Sequence, residues 1–490
     1  MSTRPLPDSP SLEQLKKQAK DLQRAVRAAQ PAELAAVHEF HPRANAVAAS
    51  FTLSDAQLVL ARQYRFASWS KLREHLDVVH RHSHWPNAAD VPGSSRPGAA
   101  DFLRLACLTY ENDDDRTRVE SARDLLRATP AIATEDIHTM AATGEVDAAR
   151  ELLARNPDLA RAPGGPYGWK PLFHLAYSRV QSNRPGCSSV DMARLLLDHG
   201  ADPNEGYLWR GLPSAFTVLT GVLGGGESDQ PPHPDWLALA ELLLDAGAEA
   251  NDSQGLYNRQ FNPDDSHLEL LFRHGLGQGA GGPWRARLGA AYPSPAQMLA
   301  DQLLWAARTD FGNRVELLLA HGVDPDAPGL WNDASSAYEV AALAGNRHIA
   351  ELLAAKGATS ALDDVQEFVA ACMVADPPRV EGLLGRDPSL PARALAADPY
   401  AILRAAELGR RDAVVLLLSL GFDVNAYQRT TPLHEAARLG DLDLVRLLLA
   451  RGADPTLTDS EFDATPLEWA EHFERDAVIE LLSKAAPDPG

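Results

Sequence analysis

The fold of this chain is decided by the stretch from Thr431 to Thr456, which reads TPLHEAARLGDLDLVRLLLARGADPT. Thr431 belongs to the residues that cap helices, and Pro432 suits the first helical turn, where its missing N–H is not needed. Gly440 and Gly452 each follow an apolar run, as glycine does where a helix ends in the left-handed conformation. The stretch therefore predicts two short helices folded back on each other. Their apolar surface is so large that neighbouring units must cover it.

Copies of the ending of the second helix supply those neighbours. The pattern Leu-Leu-Leu-x-x-Gly-Ala/Val-x occurs at 195–202, 242–249 and 317–324, with shorter or altered copies at 352–359 and 416–423. A second ending, Leu-Leu-x-x-x-Pro, occurs at 125–130, 152–157 and 383–388. We therefore expect one continuous stack of helix pairs from Asp101 onward. The side chains expected between neighbouring pairs include Ala436, Val445, Leu447 and Leu448.

The period of about 33 residues and the Thr-Pro-Leu-His opening at Thr431 resemble the ankyrin repeat. The resemblance covers residues 101–484 and is strongest at 431–456. The histidine is lost after Thr465, and both threonine and histidine are lost at Lys170. The resemblance implies an all-α ankyrin-repeat solenoid of about ten or eleven helix pairs. It also implies a bacterial type of ankyrin protein, in which a small helical domain precedes the repeats.

The predicted domain organisation has four parts. They are an N-terminal helical module at 1–84, a linker rich in Pro, Gly, Ser and Ala at 85–100, the solenoid at 101–484 and a tail at 485–490. The solenoid carries insertions at about 178–189, 221–234 and 277–295. Insertions in a repeat array often mark its working face.

The N-terminal module has two interpretations. Its predicted helices begin at Ser11, at Pro31 (ending at Phe40), at Thr52 or Ser54, and at Ser68, with Ser11 and Ser68 as caps. They can form a cap that shields the end of the solenoid. Residues 55–76 can also be read as a helix-turn-helix, whose phosphate contacts would be Arg62, Arg65, Lys71 and Arg73. We favour the cap, because helix-turn-helix shapes are common in bundles that bind no DNA.

Composition limits the classes of partner. The net charge of −21 opposes general binding to nucleic acid, because the chain as a whole repels phosphate. The cysteines, Cys107, Cys187 and Cys372, lie far apart without metal-type spacing and fit a reducing compartment. The sequence contains neither the apolar core of a signal peptide nor a run long enough to span a membrane. We therefore expect a cytoplasmic monomer with no membrane partner.

Sequence motifs for chemistry are weak. Gly224-Gly225-Gly226 is followed by no lysine that could hold a phosphate, and neither His-Glu-x-x-His nor Gly-x-Ser-x-Gly occurs. The alternate histidines His80 and His82, with His84, would need further ligands to hold a metal. We therefore expect no catalytic residue, cofactor or metal.

Large aromatic and basic residues recur just before the first helices of the irregular repeats. In the ankyrin fold, as the resemblance implies, this segment forms a projecting finger beside the concave surface. Tyr, Trp and Arg carry most of the energy in binding interfaces. We predict that the following residues contact a partner: Tyr167, Trp169, Lys170, His174, Tyr207, Trp209, Arg210, Tyr257, Arg259, Trp331 and Asp333. The alternative is that the rings fasten one finger to the next or fill gaps.

Three functions follow from these observations. The leading one is a non-enzymatic scaffold that binds another protein through the concave and finger surface of the solenoid. The second is a small-molecule-binding protein or enzyme, with a pocket among the insertions of 167–295 near His174, Trp209 and Arg259. The third is a DNA-linked regulator that acts through residues 55–76. The fold alone does not choose among them.

Overall fold

The computed structural model describes residues 6, 11–43, 50–84, 97–111, 114, 116–182, 184–330 and 335–485. The chain separates into two compact units, residues 1–298 and 299–490. The described residues are mostly helical, as the sequence predicts. Most of the predicted linker and nearly all of the tail lie outside the described residues. Residues 97–100, which were expected to belong to the linker, instead form the start of a helix that begins at Pro97.

The N-terminal module consists of four helices: α1 (Leu12–Arg27), α2 (Pro31–Phe40), α3 (Leu53–Gln63) and α4 (Trp69–His82). Ser68 caps α4 as predicted, and Thr52, one of the two predicted starts, caps α3, whereas the Ser11 side chain makes no capping bond. The helices enclose two small apolar cores, one around Leu60 and Leu72 and the other around Val59. The module therefore has an interior of its own.

Helix pairs continue through the first unit. They are α5 (Pro97–Ala106) with α6 (Arg116–Ala128), α7 (Ile137–Thr143) with α8 (Val146–Arg155), α9 (Pro171–Tyr177) with α10 (Ser189–Asp198), α11 (Val218–Leu223) with α12 (Trp236–Asp245), and α13 (Ser253–Arg259) with α14 (Ser266–Arg273). The helix α15 (Gly282–Leu288) lies within the predicted insertion 277–295. The predicted insertion at 221–234 is shorter than expected, because α11 continues to Leu223 and the loop begins at Gly224.

A short sheet joins the N-terminal module to the helix pairs. Its strands are β1 (Ser83–His84), β2 (Gly206–Trp209) and β3 (Ala215–Thr217), in that order. The strand β1 pairs in parallel with β2, and β2 pairs antiparallel with β3. The His82 ring also packs edge-on against Trp284 of α15, with 5.3 Å between the ring centroids. The module is therefore anchored at its C-terminal end as well as being packed internally.

Helix α16 (Pro295–Thr309) contains the boundary between the units. The second unit continues with α17 (Gly312–Ala320), α18 (Ala337–Leu343), α19 (Arg347–Ala355), α20 (Asp364–Met373), α21 (Pro377–Arg386), α22 (Leu390–Ala397), α23 (Ala401–Glu407), α24 (Arg411–Ser419), α25 (Pro432–Leu439), α26 (Leu442–Ala450), α27 (Pro466–His472) and α28 (Asp476–Ala485). Across the described residues, every helix is too short or too polar to traverse a lipid bilayer.

The 431–456 stretch folds as its sequence predicts. Thr431 caps α25, Pro432 occupies the first turn, and Gly440 ends the helix with a φ of 73°. The His434 Nδ1 atom accepts from the Thr431 backbone N–H at 3.2 Å, so its proton lies on Nε2, which donates to the Ala464 carbonyl at 3.1 Å. The histidine therefore holds the next loop in place. This is a physical reason for the Thr-Pro-Leu-His pattern.

The core of the second unit lies between successive helix pairs. Ala436, Val445 and Leu448 are fully buried in it, as predicted. Leu447 is only half-buried, which corrects the expectation that it is enclosed with them. The helical period explains the difference, because Leu444 and Leu448 share a face that Leu447 borders.

Polar side chains join neighbouring pairs at regular positions in both units. The Asn425 side chain donates to the Gly452 carbonyl at 3.2 Å and accepts from the Asp454 N–H at 2.8 Å. Asn204 makes the same two bonds to Gly247 and Glu249, at 2.8 and 2.9 Å. The loops after α10 and α12 are therefore joined in the same way as the loops after α24 and α26.

Candidate functional site

The fingers of the first unit meet in an aromatic cluster. The Trp169 and Tyr207 rings stack with 5.8 Å between centroids and 19° between planes. Tyr207 also stacks on Phe216 at 5.7 Å, and Tyr167 lies 4.6 Å from Trp169. Only 6% of Trp169 and 7% of Tyr207 is exposed. This placement corrects the expectation that both rings line an open surface, because they fasten one finger to the next.

The structure adds members that sequence reasoning missed. Phe173 and Tyr177 stack at 4.5 Å on α9, and Tyr110 lies 5.0 Å from Phe216. The signal in the sequence was the spacing of Phe173 and Tyr177, four residues apart on one helix, which places both rings on one face. No local pattern connects either residue to Tyr110.

His174 is fully buried beside Cys107. The Cys107 Sγ atom lies 3.8 Å from His174 Nδ1, and His174 Nε2 lies 3.2 Å from the Gly164 carbonyl. Burial raises the pKa of the Cys107 thiol to about 12 and lowers the pKa of His174 to about 3. The pair is therefore a neutral thiol beside a neutral imidazole, whereas a reactive cysteine needs its thiolate.

Trp209 and Arg210 form a separate, more accessible group. Trp209 is half-buried, and the Arg210 guanidinium lies 4.6 Å above its ring. The carboxylate of Glu111 holds that guanidinium in an ion pair, with 3.2 Å between Arg210 Nε and Glu111 Oε1. Trp209 and Arg210, both predicted to contact a partner, thus meet in a cation–π contact beside the aromatic cluster.

The remaining predicted residues of the first unit are dispersed. Lys170 Nζ donates to Glu205 at 2.6 Å, and both side chains are partly exposed. Tyr257 is 38% exposed, and its hydroxyl donates to Glu227 at 2.5 Å. Arg259 is buried and pairs with Asp264 at 2.8 Å, which corrects the expectation that it lines an open surface.

Trp331 and Asp333 lie outside the described residues. The same holds for Asn332 between them.

The buried arginine Arg179 is a second residue that sequence reasoning missed. Its guanidinium donates to the carbonyls of Pro231 at 2.6 Å, Gly221 at 2.7 Å, Ser178 at 2.9 Å and Ala176 at 3.1 Å. These carbonyls belong to α9, its C-cap, α11 and the loop after α11. Arg179 therefore joins two repeats and the 224–235 loop, and its donors are used within the fold.

Asp252 is the most deeply buried carboxyl of this region, and it serves as a helix cap. Its Oδ1 accepts from the Gly255 N–H at 2.9 Å and from the Thr220 hydroxyl at 3.0 Å. Burial raises the pKa of Asp252. A depression beside it, lined by Trp284 and Tyr292 among others, has room for about one water molecule. A pocket for a small molecule near His174, Trp209 and Arg259 gains no support from this geometry.

Potential metal ligands are also dispersed. Within the described ranges, no group of three or more His, Cys, Asp or Glu side chains is placed to hold an ion. His82 packs on the Trp284 ring. The Arg287 guanidinium lies 4.7 Å from the centroid of the same ring.

The helix-turn-helix reading of residues 55–76 corresponds to α3, a turn and α4. Arg62 donates to the Phe40 carbonyl at 3.0 Å, and Lys71 pairs with Glu74 at 2.7 Å. Leu72 and Leu76 are buried in the core of the module. Two of the four basic side chains proposed as phosphate contacts thus bind groups of the module itself.

Exposed rings also occur on two fingers of the second unit that sequence reasoning missed. Tyr427 precedes α25 and is 41% exposed, and Phe462 precedes α27 and is 58% exposed. The two fingers are joined, because the Ser460 N–H donates to the Arg429 carbonyl at 3.0 Å and Arg429 pairs with Glu461 at 3.1 Å. An exposed apolar ring on an ordered loop is a candidate contact for a partner.

Comparison with known proteins locates a family in the C-terminal region. Residues 368–459 and 402–489 match the family model for ankyrin repeats. The chain is similar to a 2-5A-dependent ribonuclease of Mus musculus, with 41% identity over 66 residues, or 13% of this chain and 9% of that protein. It is also similar to the palmitoyltransferase Hip14 of Drosophila melanogaster, with 34% identity over 92 residues, or 18% and 14%.

A third similar protein is a putative glutaminase 3 of Caenorhabditis elegans, with 32% identity over 83 residues, or 16% of this chain and 14% of that protein. The chain thus spans no more than 14% of the length of these relatives. The matching segments are short, as expected for shared repeats within otherwise different proteins. The C-terminal region of this chain contains ankyrin repeats, which are generally protein–protein interaction modules.

Proposed function

We propose that this chain is a non-enzymatic scaffold that binds another protein through the fingers of its second unit. The observation that carries the proposal is the pair of exposed rings, Tyr427 and Phe462, on two fingers that are tied to each other. Aromatic residues dominate the binding energy of interfaces when they sit on a preorganised surface. Ankyrin repeats match this part of the chain, which adds support.

The first unit has candidate partner-binding residues of its own. Trp209, Arg210 and Tyr257 keep accessible surface, and we retain them as partner-binding residues. Lys170 is a weaker member, because its ammonium group already pairs with Glu205.

The neutral forms of the buried Cys107 thiol and His174 imidazole favour a non-enzymatic role. Cys107 and His174 resemble a nucleophile and its base by distance alone, yet their pKa values move away from the charged forms that such chemistry uses. The proposal includes a monomeric chain, because a high net charge favours soluble monomers, and a cytoplasmic location, because the three dispersed cysteines suit a reducing compartment.

Site-specific photocrosslinking of the full chain tests this function. A photoreactive phenylalanine at position 462 is irradiated in a native lysate, and the matched control carries it at Arg446, which is exposed on the second helix α26. We expect a defined protein adduct from position 462 that is absent from position 446. Absence of an adduct at position 462, or identical adducts at both positions, contradicts the proposal.

A further inference from the structure

Hydrogen bonds link the first helices of neighbouring repeats in the second unit. The Asn346 side chain, just after α18, donates to the Arg308 carbonyl of α16 at 2.9 Å. The Arg438 guanidinium of α25 donates to the Glu407 carbonyl of α23 at 3.3 Å, and Arg475 donates to the Arg438 carbonyl at 2.9 Å. Each of these links spans one step of the stack, which a single side chain can reach between packed helices.

Two other links pass over whole repeats. The Arg404 Nε atom of α23 donates to the Leu343 carbonyl at the end of α18, at 2.9 Å, and so passes over α20. The Arg308 guanidinium of α16 donates to the Glu407 carboxylate of α23 at 2.6 Å, and so passes over α18 and α20. Three steps between packed helices amount to roughly 25–30 Å, which two side chains do not span. The row of first helices therefore bends until α16 and α23 approach each other.

A buried amide fixes the bend. Asn346 is fully buried, and its Oδ1 atom accepts from the guanidinium of Arg410, which follows α23. Its Nδ2 atom donates to the Ala307 carbonyl at 2.8 Å, as well as to the Arg308 carbonyl. One side chain therefore ties the ends of α16, α18 and α23 together. This link is firm, because a buried amide that loses its partners is costly.

Two features of the sequence permit the bend. The helix α22 adds a third helix to the repeat of α20 and α21, and its Leu390 and Ala394 are buried in one core with Phe368 of α20. Gly345, just after α18, has a φ of 78°, and a Cβ atom there would lie 2.7 Å from the Met373 carbonyl oxygen of α20. A side chain at this glycine would push α18 and α20 apart. The extra helix adds bulk to the repeat, whereas the glycine keeps the ends of α18 and α20 in contact.

We infer that Arg308, Arg404 and Arg410 form a conformational lock, named the arginine clasp, that closes the first helices between α16 and α23 to a partner. The side chains that hold the bend cross the face on which a partner segment would lie. Opening the clasp straightens the row of first helices and uncovers that face. The lock is a property of the chain alone, so it does not depend on the proposed function.

The link between Arg308 and Glu407 is the one that opens most readily. Their side chains are 39% and 35% exposed, so dissolved ions screen their attraction. Arg404 is less exposed and also pairs with Asp398 at 2.6 Å. Salt is therefore expected to loosen the clasp at Arg308 first and to open it only in part.

Pulsed electron paramagnetic resonance on the full chain measures the opening. Asn313→Cys on α17 and Asp412→Cys on α24 carry the spin labels, at positions that are exposed and lie outside the clasp. Cys187→Ser removes the partly exposed native thiol, and the other two cysteines are buried. The distance between the labels reports the separation of α16 and α23, because α17 pairs with α16 and α24 pairs with α23.

Two double variants with the same change of charge are compared. The clasp variant combines Arg404→Met with Glu407→Gln and removes two of the three links. Its matched control combines Arg393→Met with Glu367→Gln, which removes one exposed ion pair at each position inside a single repeat. Circular dichroism checks that both variants keep the helix content of the wild type.

We expect the clasp variant to move the mean label distance by about 5 Å, half the spacing of packed helices, and to broaden the distance distribution. The control variant should keep the wild-type distribution, because its lost ion pairs join helices that are already neighbours. An unchanged distribution in the clasp variant, or an equal shift in the control, overturns the lock.

The labelled wild type provides a second measurement, which remains decisive even if the clasp variant does not fold. Raising the salt from about 50 mM to about 1 M should move the distribution part of the way, because the Arg308–Glu407 pair is screened. The control variant should respond to salt as the wild type does. A wild-type distribution that salt leaves unchanged overturns the lock as well.

Discussion

The Trp169 ring stacks on the Tyr207 ring, with 5.8 Å between centroids and 19° between planes, and so joins the loop before α9 to strand β2. Both residues precede a first helix of a repeat, which is the position from which a finger projects in the ankyrin fold. In this protein the two rings face each other instead of solvent. The loss of the Thr-Pro-Leu-His pattern in these repeats is therefore accompanied by a different way of joining neighbouring fingers.

Replacing Trp169 by Ala should destabilise the first unit by about 3–5 kcal/mol, because it removes a buried aromatic side chain and leaves a cavity. Urea unfolding followed by circular dichroism measures the change. Tyr257→Ala is the matched control, since that ring is exposed, and it should cost less than about 1 kcal/mol. Equal stability of Trp169→Ala and wild type would show that the ring does not fasten the fingers.

Replacing Leu448 by Asp should lower the stability of the second unit by about 4 kcal/mol or more, because it buries a charge without a partner. Leu448 is fully buried between helix pairs. Thermal unfolding provides the measurement, and Arg446→Asp introduces the same side chain at an exposed position of the same helix. A melting temperature for Leu448→Asp close to that of Arg446→Asp would contradict the packing of α26.

Replacing Arg179 by Met should cost about 3 kcal/mol or more, because the buried carbonyls of Ala176, Ser178, Gly221 and Pro231 lose a donor, at about 1–3 kcal/mol each. Arg194→Met is the control, since Arg194 forms only an exposed pair with Asp191 and should contribute less than about 1 kcal/mol. The free energy of unfolding in urea distinguishes the two. Similar free energies of unfolding for the two variants would contradict the role of Arg179 as a structural link.

The stability of the first unit should fall as the pH is lowered from about 6.5 toward 3, in part because of His174. The folded state keeps His174 neutral with a pKa of about 3, whereas the unfolded imidazole takes up a proton below about 6.5. Stability from this group is therefore complete above 6.5 and is lost progressively as the pH falls, by about 2 kcal/mol at pH 5.

The variant His174→Gln should show a smaller difference in unfolding free energy between pH 7 and pH 5 than wild type. The cost of the lost hydrogen bond to Gly164 cancels in this difference, because it is the same at both pH values. His38→Gln changes an exposed histidine and should keep the wild-type difference. The same pH dependence in His174→Gln and wild type would mean that the imidazole is not held neutral by the fold.

The amino-acid sequence by itself determined the helix pairs. Thr431, Pro432 and Gly440 act on the backbone within one turn of themselves, so their effect is visible in a short window. The same local reasoning located α2 at Pro31–Phe40 and the cap Ser68. Periodicity identified Ala436, Val445 and Leu448 as core, and failed only at Leu447, which lies at the edge of the apolar face.

Only the tertiary structure decided which rings are exposed. Whether a loop ring points inward depends on what neighbouring loops place beside it, and for Trp169 that is Tyr207, which the sequence separates by a whole repeat. Arg179 reaches Pro231 across a similar separation, so no window around either residue contains its partner. Phe462, by contrast, stays exposed because Asp459 and Trp469 fix its finger without covering it. Local chemistry therefore specified the repeats, and contacts between distant residues specified the surface.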